Sequence, residues 1–214
     1  MPAAAGYGEI EEAAHAVGLI VMGTLVQDGR TLVLLGAGAD FWPAFQAAPE
    51  ARDTAPDPVD RWSLRVVGAL AARFGAQALF PFGGPPYQPF IAWARQSGRA
   101  FQSPVGMLVH DRVGLMISYR GALHLPGLVD CPAPPAAHPC HSCAAKPCTK
   151  ACPVGALAAG QAYDLDACHG FLETGPGQDC MERGCAVRRA CPLSAGAGRV
   201  AAQSHHHMKA FHKR

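Results

Sequence analysis

The alternation of apolar and polar positions predicts a mixed α+β protein. Two apolar runs, at 19–26 and 31–35, flank the tetrapeptide Gln-Asp-Gly-Arg at 27–30. Asp-Gly between two such runs is typical of a tight β-hairpin turn, because both residues tolerate a left-handed backbone. The pattern therefore predicts two antiparallel strands near the start of the chain.

Helical periodicity is clearest between residues 57 and 75. Apolar residues recur every three or four positions from Val59 to Phe74, and Gly75 is a typical helix terminator. Asp57 is predicted to be the N-cap, and Pro58 the first helical residue. Shorter helices are predicted at 11–16, 41–48 and 90–97, and short strands at 78–82, 105–109 and 114–119.

A segment rich in proline and alanine, 131–139, predicts a linker and hence a domain boundary. The predicted organisation is a first domain over 1–130, the linker, a small domain over 140–193, and a solvated basic tail over 194–214.

Cysteine is concentrated in the small domain, where eight of the nine cysteines fall between residues 140 and 192. They form two groups of four in sequence, each closed by Cys-Pro, which is typical of proteins that bind two [4Fe–4S] clusters. In two-cluster ferredoxins the cysteine of each Cys-Pro pair ligates the cluster of the other half. The predicted ligands are Cys140, Cys143, Cys148 and Cys191 for one cluster (the first set), and Cys152, Cys168, Cys180 and Cys185 for the other (the second set).

Other uses of these cysteines are open at this stage. A four-cysteine zinc site also uses a Cys-x2-Cys pair, although the Cys-Pro closures are not a zinc feature. A disulfide framework would require an oxidising compartment. Radical adenosylmethionine chemistry would require an open iron, whereas eight cysteines suffice for all irons of two clusters. Cys131 is left over and is predicted to be an unligated thiol.

Composition narrows the function classes. Half of the 214 residues are apolar and the formal net charge is +2, which does not predict a nucleic-acid-binding surface. No apolar run reaches eighteen residues, so no membrane span is expected. The first twelve residues are small and acidic, unlike a signal peptide. Together with the need for reduced thiolates, these features predict a cytoplasmic protein.

The stretch 106–127 reads Gly-Met-Leu-Val-His-Asp-Arg-Val-Gly-Leu-Met-Ile-Ser-Tyr-Arg-Gly-Ala-Leu-His-Leu-Pro-Gly. With Asp-Pro-Val-Asp at 57–60, it resembles the cobalamin-processing proteins of the cblC type, over residues 17–130. The resemblance implies a nitroreductase-like α+β fold that holds cobalamin with its lower base displaced and removes the upper ligand of cobalt. Arg120 matches an arginine linked in that family to cofactor and thiol handling. The alternative for Arg120 is an arginine that pairs with a carboxylate.

The cysteine-rich half resembles the iron–sulfur part of epoxyqueuosine reductases, which pair a cobalamin-binding domain with two clusters. The resemblance lies in the spacing from Cys152 to Cys168 and in the sequence Asp-Leu-Asp-Ala-Cys-His-Gly-Phe-Leu-Glu at 164–173. It implies a small bacterial-ferredoxin-like domain. The chain differs from those enzymes at 88–94, which lacks the acidic residue that would protonate an epoxide-derived oxygen.

These observations lead to one main hypothesis and two alternatives. The main hypothesis is an iron–sulfur oxidoreductase that binds cobalamin and uses two [4Fe–4S] clusters to reduce cobalt or remove its upper ligand. One alternative is a ferredoxin-type electron carrier without cobalamin, and the other is an epoxyqueuosine-reductase-like or flavin-dependent reductase. All three require a redox partner that supplies or accepts electrons.

Overall fold

A computed structural model of the chain describes residues 6–135 and 137–213. Residues 1–5, position 136 of the predicted linker and residue 214 of the predicted tail lie outside the described residues. The fold is mixed α+β, as predicted. Its helices are α1 (Tyr7–His15), α2 (Phe41–Ala47), α3 (Pro58–Phe74), α4 (Phe90–Gln96), α5 (Leu165–Leu172), α6 (Gln178–Arg183), α7 (Ala186–Ala190) and α8 (Ala201–Phe211). Its strands are β1 (Leu19–Gln27), β2 (Arg30–Ala37), β3 (Gln77–Leu79), β4 (Ala100–Gln102), β5 (Leu108–His110) and β6 (Tyr119–His124).

The chain forms two compact units whose boundary differs from the predicted one. The described residues up to Arg99, together with 118–135, make the first unit, and residues 100–117 and those from 137 onward make the second. The segment 100–117 therefore belongs with the cysteine-rich half, although sequence patterning placed it in the first domain. Among the described residues, no helix has the length and apolar character that a membrane crossing requires.

The first unit contains an antiparallel sheet with strand order β1-β2-β6-β3. The predicted hairpin is confirmed: Gln27 pairs with Arg30, and the turn residues Asp28 and Gly29 have φ of 50° and 71°. The apolar face of the sheet packs on α1, α2 and α3 around buried aromatic residues such as Phe41 and Trp62.

Helix α3 confirms the predicted periodicity and its end. Val59, Trp62, Val66 and Leu70 are buried on one face, and Gly75 ends the helix at φ 62°. Asp57 occupies the N-cap position and Pro58 begins the helix, as predicted. Asp57 has a left-handed backbone at φ 50°, and its side chain makes no capping hydrogen bond.

The strand predicted at 114–119 is wrong, because the chain remains irregular until β6 begins at Tyr119. A tight turn closes between His110 and Gly114, which exchange backbone hydrogen bonds of 2.9 and 3.0 Å. The next backbone groups bind side chains instead of a strand. The N–H of Leu115 donates to Ser194 Oγ at 3.2 Å, and its carbonyl accepts from Arg188 at 2.6 Å.

The second unit consists of the β4–β5 pair, short helices and 3₁₀ turns at Pro147–Lys150 and Pro192–Ala197. The predicted solvated tail is instead largely helical. Helix α8 packs against α6 and buries Gln203 and Ser204. Close approach is possible because Gly184, at φ 88°, has no side chain: a Cβ there would lie 3.0 Å from Ser204.

Candidate metal centre

The first set of cysteines surrounds a single cavity within the second unit. The cavity has a volume of about 220 Å³, and its walls include the apolar side chains of Val109, Leu115 and Leu193. All four members of the set line it: Cys140, Cys143, Cys148 and Cys191. The structure therefore gathers thiols from both ends of the cysteine-rich segment around one space.

Tight turns present these thiols to the cavity. Cys148 lies in the 3₁₀ turn Pro147–Lys150, and the residue before that turn, Lys146, has a left-handed backbone at φ 41°. Cys191 follows α7, and Pro192 directly begins the next 3₁₀ turn. A proline has a fixed φ and no N–H, so it redirects the chain at this point without leaving a backbone N–H that lacks an acceptor.

A histidine fixes the start of the first set. His138 Nδ1 accepts the backbone N–H of Cys140 at 3.1 Å, and its Nε2 lies 3.1 Å from the carbonyl oxygen of Gln102. With Nδ1 as the acceptor, Nε2 is the nitrogen that can donate to that carbonyl. Sequence patterning missed this role, since Gln102 lies far away in the chain.

The thiols of the first set perturb one another. Burial raises the pKa of Cys140, and the neighbouring thiols of Cys148, Cys191 and Cys143 raise it further. Burial also raises the pKa of Cys148, again with Cys191 and Cys143 adding to the shift. Neighbouring thiolates repel one another, which opposes their joint ionisation. The site therefore favours a bound group that carries positive charge, such as a metal centre.

The second set comes from different elements, and its thiols influence one another electrostatically. Cys168 lies in α5, Cys180 in α6, and Cys185 directly before α7. Burial raises the pKa of Cys168; the phenol of Tyr163 opposes that shift, and the thiols of Cys185, Cys152 and Cys180 add to it. Burial raises the pKa of Cys180 as well, while the N–H of Ala186 opposes the shift.

Each half of the cysteine-rich segment contributes one cysteine to the group formed mainly by the other half. Cys191, from the later half, neighbours the early cysteines of the first set, and Cys152, from the earlier half, neighbours Cys168. The two Cys-Pro closures predict an exchange of this kind, and which thiols share a cluster stays a prediction. That the groups bind iron stays a prediction.

Helix α7 joins the two sets. Its five residues begin just after Cys185 and end just before Cys191. At a rise of 1.5 Å per residue, the two cysteines are about 9 Å apart along the helix axis. Val187, fully buried in this helix, belongs to one apolar cluster against which cysteines of both sets pack. Two groups held at these sites would be near neighbours separated by apolar side chains.

The size and chemistry of the sites restrict what they can hold. Across residues 6–135 and 137–213, no three or more His, Cys, Asp or Glu side chains form a group suited to one metal ion. The cavity of the first set has several times the volume of a water molecule, about 30 Å³, and so has room for a polyatomic group. Soft thiolate donors favour iron–sulfur clusters, zinc and cuprous ions. A cubane with one thiolate per iron fits this combination of space and donors.

Tyr163 is a site residue that sequence patterning missed. Its hydroxyl lies 3.1 Å from Cys168 Sγ and donates a hydrogen bond to it. Burial and the contact with Cys168 raise the pKa of Tyr163 well above its ordinary value, so the phenol keeps its proton. A sequence signal for this contact exists only in hindsight: Tyr163 directly precedes the N-cap of the helix that carries Cys168.

Arg120 lies in the first unit and pairs with a carboxylate. Its side chain is 14% exposed, its Nη1 lies 3.3 Å from Asp60 Oδ1, and its Nε donates to the carbonyl of Tyr119 at 2.8 Å. Burial lowers the pKa of Arg120, and Asp60 partly restores it. The two stretches that carry the cblC resemblance, 57–60 and 106–127, thus meet at this pair. A role of Arg120 toward cobalamin stays a prediction.

Cys131 lies in the first unit, whereas the other eight cysteines lie in the second. Its Sγ is 3.4 Å from the carbonyl oxygen of Val129. Burial raises the pKa of Cys131, so the protonated thiol is favoured. All nine cysteines, each among the described residues, are free thiols in the structure.

Comparison with known protein families finds no match for this chain, and comparison with curated proteins finds no significant match.

Proposed function

We propose that the second unit binds two [4Fe–4S] clusters and acts as an electron-transfer module. The observation that carries the proposal is the crossed gathering of eight thiols, with the first set around a cavity large enough for a polyatomic group. Zinc shares the preference for thiolates, but a zinc ion takes four ligands at a single point. The proposed unit is of the small bacterial-ferredoxin type.

Clusters at these sites would supply one-electron transfer at low reduction potential. The chain would hold the first through Cys140, Cys143, Cys148 and Cys191, and the second through Cys152, Cys168, Cys180 and Cys185. Apolar side chains, Val187 among these, pack against cysteines of both sets. Exclusion of water and hydrogen bonds to sulfur are the means by which a protein sets cluster potentials.

We further propose cobalamin as the electron acceptor and a nitroreductase-like fold for the first unit. The support is the resemblance over 17–130 and the meeting of its two stretches at the pair of Arg120 and Asp60. The reaction would be reduction of cobalt or removal of its upper ligand. We also propose a reducing compartment such as the cytoplasm, because thiols that ligate clusters must stay reduced.

The cluster proposal is tested by four Cys→Ala variants of anaerobically purified protein. Wild type is expected to hold about eight irons, and each variant about four, because each removes one ligand of a four-iron cluster. In electron paramagnetic resonance of the reduced protein, Cys140→Ala and Cys191→Ala should lose one signal, and Cys152→Ala and Cys168→Ala the other. Cys131→Ala is the matched control and should keep both signals.

Two results would contradict this proposal. If Cys152→Ala loses the same signal as Cys140→Ala, the sets follow the order of the sequence and are not crossed. If the wild-type protein contains zinc and no iron, the cluster assignment fails.

The cobalamin proposal needs its own experiment. Cyanocobalamin or an alkylcobalamin is added anaerobically to the iron-loaded protein with dithionite, and the corrin absorbance is followed. Binding with a spectral change is expected, and Arg120→Ala should weaken it. Normal clusters without corrin binding would favour the electron carrier, and a yellow chromophore in the purified protein would favour the flavin reductase.

A further inference from the structure

Tyr163 contacts the second set through its hydroxyl. The O–H donates to Cys168 Sγ at 3.1 Å, and the side chain is partly exposed at 38%. Cys168 also neighbours the other three thiols of its set. The phenol therefore binds one of the sulfurs that would hold the second cluster.

The start of α5 fixes this contact. Asp164 is the N-cap, and its Oδ1 accepts the N–H of Ala167 at 2.9 Å. Its own N–H donates to the carbonyl of Ala156 at 3.0 Å. Tyr163 thus lies just before the cap and Cys168 at the fourth helical position, and side chains at these two positions pack together at many helix starts. The hydrogen bond follows from local geometry that the cap maintains.

Helix α8 supports the other side of the tyrosine. The ring of Phe211 is nearly parallel to that of Tyr163, at 8° and a centroid distance of 6.5 Å. Phe211 in turn stacks on His169 at 4.7 Å. His169 Nδ1 lies 2.6 Å from Nδ1 of His212, which follows α8. The phenol is thus held between α5 and the end of the chain.

A donor at a ligand sulfur changes the energy of electron uptake. The reduced form of a cluster carries one more negative charge than the oxidised form, and part of that charge resides on the thiolate sulfurs. A hydrogen bond to such a sulfur therefore stabilises the reduced form more than the oxidised form. Its effect is to raise the reduction potential.

We propose that the hydroxyl of Tyr163 raises the reduction potential of the cluster held by Cys152, Cys168, Cys180 and Cys185. The inference rests on the proposed function, because it needs a cluster at the second set. It assigns Tyr163 a positioning and tuning role through Cys168, without direct contact with any substrate.

The test is an anaerobic redox titration of Tyr163→Phe, followed by electron paramagnetic resonance of each cluster. Phenylalanine keeps the ring against Phe211 and removes only the donor. At a fixed potential the ratio of reduced to oxidised second cluster should fall about tenfold. This corresponds to a reduction potential lower by about 59 mV for one electron. The first cluster should be unchanged. In deuterated water, pulsed resonance should detect an exchangeable deuteron near the second cluster in wild type and lose it in the variant.

Tyr87→Phe, which removes an exposed hydroxyl from the first unit, is the matched control and should change neither potential. Full iron content with an unshifted second potential in Tyr163→Phe would overturn the inference and leave the proposed function standing. Absence of clusters from wild type would overturn both. If Tyr163→Phe lost its second cluster, Asp164→Ala would keep the phenol but loosen its placement: a lowered second potential supports the inference, and an unchanged one overturns it.

Discussion

Glu50 is a buried carboxylate whose charge is stabilised chiefly by Arg65 and also by Arg61. Its Oε1 lies 2.6 Å from Arg65 Nε, and its Oε2 lies 2.9 Å from Arg65 Nη2. The side chain of Glu50 is 10% exposed and that of Arg65 is 52% exposed. The hydrogen bonds from Arg65 lower the pKa of Glu50 and outweigh burial, which would raise it.

Glu50→Gln is expected to lower the free energy of unfolding of the first unit by about 1 kcal/mol at neutral pH. The value is modest because water screens the half-exposed Arg65. A lowered pKa in the folded state means that the stabilisation is fully present above the ordinary glutamate pKa of about 4.3 and is lost as the pH falls through the folded-state value. Urea unfolding followed by tryptophan fluorescence, at neutral pH and in acid, measures both effects.

The matched control is Glu12→Gln, which changes an exposed glutamate of α1. It should leave the unfolding free energy nearly unchanged. A destabilisation by Glu50→Gln that persists in acid would show that the lost interaction is not the ion pair.

At the level of residues, sequence spacing predicts which thiols meet but not what surrounds them. The two Cys-Pro closures were sufficient to pair Cys191 with the early cysteines. The roles of Tyr163 and His138 escaped prediction because each depends on a turn geometry that the sequence pattern does not specify. Asp57 shows the converse: its type suits an N-cap, but its left-handed backbone leaves the helix without a side-chain cap.

At the level of elements, local sequence patterns predict a helix or turn correctly where interactions within that element stabilise it. The hairpin turn and α3 were predictable because Asp-Gly and a regular apolar stripe act over a few residues. The predicted strand at 114–119 fails because its backbone groups bind Ser194 and Arg188, from a distant part of the sequence. Apolar content alone does not distinguish a strand from a buried irregular segment.

This irregular segment also supports the turn after Cys191. Gly114 has φ of 58°, and a Cβ at this position would lie 2.5 Å from the backbone nitrogen of Ser194. Gly114→Ala would therefore combine backbone strain with a collision against the turn that follows Cys191. We expect it to lower thermal stability and to reduce the first cluster's signal and iron content, because that turn positions a ligand.

Gly106→Ala is the matched control for this prediction. Gly106 also has a positive φ, 79°, but a Cβ there would meet nothing within 4 Å. It should cost about 1 kcal/mol of stability from strain alone and keep the first cluster. Circular dichroism melting and iron quantitation separate the two variants. Equal iron loss in both would mean that strain, and not contact with the turn after Cys191, is responsible.

At the level of the whole molecule, the two units depend on different sources of stability. The first has an apolar core with several aromatic side chains, including Phe41, Phe45 and Trp62. The second has a small apolar cluster in which cysteine side chains are themselves members or neighbours. Where ligands form so much of a small core, metal binding and folding are coupled. Sequence patterning could not predict the division of the chain, because segment 100–117 joins the second unit only through long-range contacts.

Removal of iron is therefore expected to destabilise the second unit selectively. All three tryptophans, Trp42, Trp62 and Trp93, lie in the first unit, so their fluorescence reports its unfolding alone. Circular dichroism at 222 nm reports helices of both units. After iron is removed with ferricyanide and EDTA, the circular dichroism transition of the second unit should fall by about 10 °C or more. The tryptophan midpoint should stay the same.

The same comparison in Cys131→Ala provides the control, because this variant keeps every proposed ligand and should respond to iron removal as wild type does. A tryptophan midpoint that falls together with the circular dichroism signal would mean that the units do not unfold separately. If iron removal changes neither transition, the eight thiols do not hold a metal group that supports the fold. That result would contradict the coupling of metal binding to folding, because a core built largely from ligand side chains loses its packing partners when the bound group is removed.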